Sequence, residues 1–205
     1  VLLYNGTIGE SNFNINKALH VGAPNDHLKI DSTGYPTFVG DARYKQFLYI
    51  HPWEMARGST GPSDTQVNVY QVKGFSYTAD NDVYCTVRAP SGYDATIEVS
   101  VDIYWAYTGS YNAGTVNWKL TYISCGEGDG VNGSTTGIDV TSAGSHTSGV
   151  LVKTTPREGI TTARGDLVGF NFYRDVSEDS LPKVANLIAI VFGFTMKNLG
   201  ESIAG

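Results

Sequence analysis

Four stretches carry side chains of the types that do chemistry. Glu127-Gly128-Asp129-Gly130 sets two carboxylates two positions apart between glycines. Such oxygens suit Ca²⁺, but the full ligand run of a calcium loop is missing, so the stretch reads as a solvated turn. Ser145-His146-Thr147-Ser148 puts a hydroxyl beside an imidazole. A nucleophile and its base must converge in space with a third orienting group, which chain neighbours seldom achieve. Glu178-Asp179 offers two carboxylates, the side-chain type of sugar hydrolysis, in a polar loop with no Trp nearby. Cys85 and Cys125, with His20, His27, His51 and His146, show no metal-ligand spacing. Each cysteine lies in a strand-like run and reads as a reduced core thiol. The glycines fall in turns, not in a phosphate-cradling loop. The expectation is a chain with no catalytic residue, no metal and no cofactor.

Aromatic side chains are the stronger candidates for binding. Tyr104, Tyr107 and Tyr111 cluster where a long strand ends. Rings of this kind stack on sugar faces and are enriched at interfaces, so they could touch a host glycan or a partner; plain strand surface is the other reading. Trp53 follows the first long strand and is expected to pack near it.

The 205 residues carry 14 Lys and Arg against 20 Asp and Glu, a formal net charge of −6. The basic residues are scattered, which argues against a nucleic-acid partner and against an anionic membrane surface. No apolar run approaches a membrane span. Val1-Leu2-Leu3-Tyr4 is too short and too soon interrupted by Asn5-Gly6 for a signal peptide. Hydrophobic residues make up 41%, enough for a core, while 24 glycines and few charges suit short strands and tight turns.

The elements divide at about residue 42. Residues 1–42 are Gly-, Asn- and Asp-rich, with short strand-like pieces such as Leu28-Lys29-Ile30 and Thr37-Phe38-Val39. Their few large apolar side chains cannot offset the entropy of ordering the segment alone, so it is expected to share a core with copies of itself. Residues 43–205 carry longer strands. The clearest is 97–105, where Ile97, Val99, Val101, Ile103 and Trp105 alternate with Glu98, Ser100, Asp102 and Tyr104. A strict period of two means one buried face. Val116, Trp118, Leu120 and Tyr122 alternate in the same way after a turn, and the two runs read as a long antiparallel hairpin. In the last strand both faces are apolar: Ile188, Ile190, Phe192 and Phe194 on one, Leu187, Ala189 and Val191 on the other. One face packs on the core, so the second needs a subunit contact to cover it. Leu187, Ile188, Ile190, Val191, Phe192 and Phe194 are therefore the expected trimer interface.

Two stretches resemble structural proteins of phage particles. Leu28-Lys29-Ile30-Asp31-Ser32-Thr33-Gly34-Tyr35-Pro36-Thr37-Phe38-Val39-Gly40-Asp41-Ala42 resembles the last repeat of a phage fibre stem. Trp118-Lys119-Leu120-Thr121-Tyr122 and Gly165-Asp166-Leu167-Val168-Gly169-Phe170-Asn171-Phe172-Tyr173-Arg174-Asp175 resemble the jelly-roll heads of phage fibres and capsid decorations, similar in shape to tumour-necrosis-factor-like trimers. The resemblance implies an all-β protein: an antiparallel jelly-roll sandwich head (residues 43–205) behind an intertwined β-rich N-terminal stem (residues 1–42), assembled as a homotrimer. It implies location in the virion, as a capsid decoration or head fibre attached to other virion proteins through the stem. The alternative is a tail-fibre tip that adsorbs to a glycan of the host cell surface. No catalytic residue is implied.

Overall fold

The computed structural model describes residues 19–22, 27–30, 36–39, 42–110, 114–142, 147–156 and 158–197. The chain divides into two units, Val1–Arg43 with Lys197–Gly205, and Tyr44–Met196. In the first, β1 (Leu19–Gly22), β2 (His27–Ile30) and β3 (Pro36–Val39) form an antiparallel three-stranded sheet in chain order. The register sets Val21 opposite Leu28 and Leu28 opposite Phe38.

The second unit is all-β. After β4 (Tyr44–Ile50), β5 (Ala56–Arg57) and β6 (Ser63–Val67) come eight further strands. These are β7 (Tyr70–Phe75), β8 (Asp82–Arg88), β9 (Ser100–Ala106), β10 (Val116–Cys125), β11 (Thr136–Ser142), β12 (Val152–Thr154), β13 (Leu167–Arg174) and β14 (Ala185–Met196). One sheet runs β12-β9-β14-β7-β6 and the other β11-β10-β13-β8-β5. The result is a two-sheet antiparallel structure reminiscent of a jelly-roll sandwich. No helix among the described residues is long and apolar enough to cross a membrane.

Alternation explains the layers. Val101, Ile103 and Trp105 of β9 point into the core, and so do Val116, Trp118 and Leu120 of β10. The expected β9–β10 hairpin does not form. β9 pairs with β12 and β14, whereas β10 pairs with β11 and β13. The chain between them crosses from one sheet to the other, and Trp105 meets Trp118 across the sandwich at 6.0 Å between ring centroids. A period of two tells which face is apolar but not which strand is the neighbour. Ile97, expected on the buried face, lies before β9 in a turn closed by its own N–H on the Asp94 carbonyl, and is 39% exposed.

β14 is the centre of its sheet. β9 runs along one edge, while the other edge is shared in sequence by β7, opposite Ala185–Leu187, and β4, opposite residues 190–196. Against β9 the register shifts between Leu187 and Ala189, so Ile188 is a bulge residue. The bulge changes the phase of the strand. Leu187, Ile190, Phe192 and Phe194 all enter the core of a single chain, at 0 to 1% exposure. Val191 is covered as well, at 3%. Of the six residues expected at a trimer interface, Ile188 alone keeps part of its surface. The sequence reading took an unbroken period of two, which the bulge at Ile188 interrupts.

Candidate functional site

The structure disperses the residues that could do chemistry. Asp129 accepts a hydrogen bond from the Gly126 N–H at 2.8 Å and so closes its own turn; Glu127 is exposed. No group of three or more His, Cys, Asp or Glu that could hold a metal occurs among the described residues. Ser145 and His146 lie outside the described residues. Cys85 and Cys125 are both free thiols, each half-buried.

Glu178 and Asp179 turn to different partners. The Arg174 Nε donates to Asp179 Oδ2 at 2.5 Å, and this pair is buried, the side chains being 0% and 4% exposed. Glu178 instead accepts from Asn117 Nδ2 at 2.6 Å. Beside it, Lys119 Nζ lies 2.6 Å from Asp175 Oδ2. The hydrogen bond from Lys119, then that from the Ser177 hydroxyl, hold the Asp175 carboxyl below the usual carboxylate range. The same bond pushes Lys119 up to about 12. These shifts fix the pH window of the pair. Asp175 contributes its stability above the ordinary carboxylate pKa and loses it as pH falls through the depressed value. Lys119 contributes below the ordinary lysine pKa and loses it as pH rises through about 12. Lys119→Met is expected to lower stability by about 1–2 kcal/mol at neutral pH, and to flatten the fall in denaturation midpoint below about pH 4. Urea melts across pH check this; an unchanged acid limb would contradict it.

The tyrosine cluster does not form a platform. Tyr107 is fully buried in the core, and Tyr104 is half-buried with Lys153 Nζ 6.0 Å from its ring centroid. Tyr111 lies outside the described residues.

Exposed aromatic surface gathers elsewhere, around a notch in the edge of β14. Neither β7 nor β4 pairs with Ile188 and Ala189, so the two strands leave a gap where one succeeds the other. Ile188 and Ala189 line the notch together with two outlying segments. The first is His51-Pro52-Trp53, which leaves the end of β4 as a 3₁₀ turn. Pro52 is buried at the first position of that turn, and the His51 N–H donates to Glu54 Oε2 at 2.7 Å. Trp53 stacks on His51 with centroids 4.3 Å apart and planes 4° from parallel, and stays 60% exposed. Its described ring contact is thus with the residue that directly follows β4.

The second segment is the tight hairpin from β6 to β7. Asn68, at φ 54°, supplies the left-handed residue such a turn requires. The register then puts Gln66 opposite Gln71 and Val67 opposite Tyr70. Val69 and Tyr70 at the tip are 78% and 58% exposed. A second cleft shares Trp53, Gln66 and Gln71 and adds Asp64 and Thr65. Asp64 is occupied by Lys73 Nζ at 2.8 Å. The notch as a whole was not readable beforehand, because it joins residues 51–53 and 66–71 to residues 188–189, more than a hundred positions on.

No family model matches the sequence, and no curated protein matches it. Among solved structures the chain is similar to one described as the structure of infectious bursal disease virus Gx strain, with a TM-score of 0.39 and 9% identity. The match covers 89% of this chain and 42% of that one, so this chain spans less than half the length of the chain it resembles.

Proposed function

We propose that the chain is a structural protein of a bacteriophage particle, a trimeric capsid decoration or head fibre. In this reading residues 1–42 form a stem that joins other virion proteins, and residues 43–205 form a jelly-roll head. The observation that carries the proposal is the strand order of the second unit, β7-β14-β9-β12 in one sheet and β8-β13-β10-β11 in the other. That double-sheet arrangement is one that recurs in virus shells and lectins. The polar clusters described above support it too, since their charged groups are engaged in structural pairs and caps.

Subunit contact is assigned to β4 rather than β14. Among the described residues β4 pairs with β14 alone, and Phe47, Leu48 and Tyr49 are 52%, 36% and 57% exposed on it. An apolar edge strand of this length is an unprotected template unless something covers it. A second copy of the chain is the occupant, because the N-terminal segment independently calls for shared burial.

Light scattering of the full chain tests the assembly. The expected mass is close to three times 22.1 kDa. The double variant Phe47→Asp/Tyr49→Asp is expected to give a folded monomer. A wild-type monomer at micromolar concentration overturns the trimer, and a double variant that remains trimeric overturns the β4 contact. Ile190→Asp, in contrast, is expected to unfold the chain, since Ile190 is fully buried. Antibodies against the head are expected to label intact particles; labelling confined to disrupted particles would contradict a surface position.

A further inference from the structure

We propose that the notch beside Trp53 is a binding site for a neutral saccharide. The inference deepens the adsorption alternative and rests on the head being displayed at a surface. It uses residues other than the tyrosines first considered.

Three observations lead to this ligand class. First, the notch pairs flat apolar surface with neutral hydrogen-bonding groups. Trp53 supplies a ring, while Gln66 and Gln71 stand opposite each other on the hairpin and Val69 and Tyr70 border the notch. A pyranose has the matching character, a C–H face ringed by hydroxyls that both donate and accept. An amide does both as well, so two adjacent amides can serve vicinal hydroxyls. Second, neither amide side chain has a partner among the described residues, and no carboxylate, Lys or Arg lines the notch. An anionic ligand would find no Lys or Arg there, only the His51 imidazole that is stacked on Trp53, and a cationic one no carboxylate. Third, the platform is set in advance. The stack on His51 and the Pro52 turn fix the indole in place, so little side-chain entropy is lost on binding. A notch of about 390 Å³ is of the size that admits one or two sugar rings.

A second copy of the chain is the competing occupant, and the test separates the two. Trp105 and Trp118 are fully buried, so Trp53 is the one tryptophan of the three open to a quencher in solution. The probes are maltotetraose, cellotetraose, chitotetraose and a β-galactotetraose, each titrated to about 10 mM into the full chain. Acrylamide quenching and saturation-transfer NMR provide the readouts. At least one probe is expected to protect the exposed tryptophan and to receive saturation. Trp53→Ala is expected to abolish the NMR signal. Gln66→Ala and Gln71→Ala are each expected to weaken binding about tenfold, the value of one hydrogen bond lost. All three positions are exposed, so folding and solution mass are expected to be unchanged.

No protection and no saturation transfer by any probe overturns the assignment. So does retained binding in Trp53→Ala, or a loss of assembly in that variant, which would give the notch to a second copy. The structural reading fails separately, by the wild-type mass. A trimer without sugar binding removes the notch assignment alone, and a monomer that binds sugar removes the trimer alone.

Discussion

Replacing Arg174 with Met is expected to lower the unfolding free energy by about 3–5 kcal/mol, read as a shift in urea midpoint at unchanged slope. Arg174 ends β13 and its side chain is fully buried. Nε donates to Asp179, Nη1 to the carbonyls of Phe75 and Lys183 at 3.2 and 2.6 Å, and Nη2 to the Leu181 carbonyl at 2.6 Å. A single guanidinium thus holds the loop from Asp179 to Lys183 against the end of β7. Met fills the space but leaves a buried carboxylate and three carbonyls without their donor. The unpaired charge dominates the cost. Arg174→Met/Asp179→Leu removes both charges and is therefore expected to recover part of the loss, although Asp179 Oδ1 also caps the Leu181 N–H at 2.8 Å. A single variant that loses less than about 1 kcal/mol would show that the pair is not desolvated as described.

That pair was hidden in the sequence for a physical reason. Glu178-Asp179 advertises two carboxylates, but which cation meets them depends on how the loop folds back. Asp179 turns inward to Arg174, while Glu178 stays at the rim with Asn117. What was legible was the alternation itself. Val101, Ile103 and Trp105, like Val116, Trp118 and Leu120, keep one face apolar through their strands, and the structure buries that face. Alternation has no term for partner identity, hence the hairpin that was expected and the sheet crossing that occurs.

The last strand shows a second limit. Leu187 and Ile190 are three apart and belong to opposite faces of a regular strand, yet both are in the core. One extra residue, Ile188, accounts for the difference. Bulges depend on the neighbouring strand as much as on the bulged one, so a single-strand reading misses them. The same bulge helps to form the notch, and for that reason the notch was invisible too. A weak signal did exist. Val69-Tyr70 follows Asn68 at a tight turn, where polar residues are the rule, so the pair stands out in the sequence.

Trp118→Ala is expected to cost about 3–5 kcal/mol, the range for removing a large buried aromatic side chain. Trp118 is where the two sheets lock. Its ring stacks on Phe172 of its own sheet at 5.0 Å and 21°, and meets Phe75 and Trp105 of the other sheet edge-on at 5.2 and 6.0 Å. Trp118→Phe is expected to cost much less. The Trp118 Nε1 is buried without an acceptor among the described residues, so Phe removes an unsatisfied donor along with some volume. Trp105→Phe lacks that compensation, because Trp105 Nε1 donates to Thr154 Oγ1 at 3.0 Å. The order of stability is then Trp118→Phe above Trp105→Phe above Trp118→Ala, and equal losses for the two Trp→Phe variants would refute the role given to the indole N–H. Coupling supplies a sharper check. Trp118 and Arg174 are cross-strand partners, and Arg174 holds the carbonyl of the same Phe75 whose ring meets Trp118. Loosening either releases the other, so the Trp118→Ala/Arg174→Met double variant is expected to lose less than the sum of its parts by about 1 kcal/mol or more.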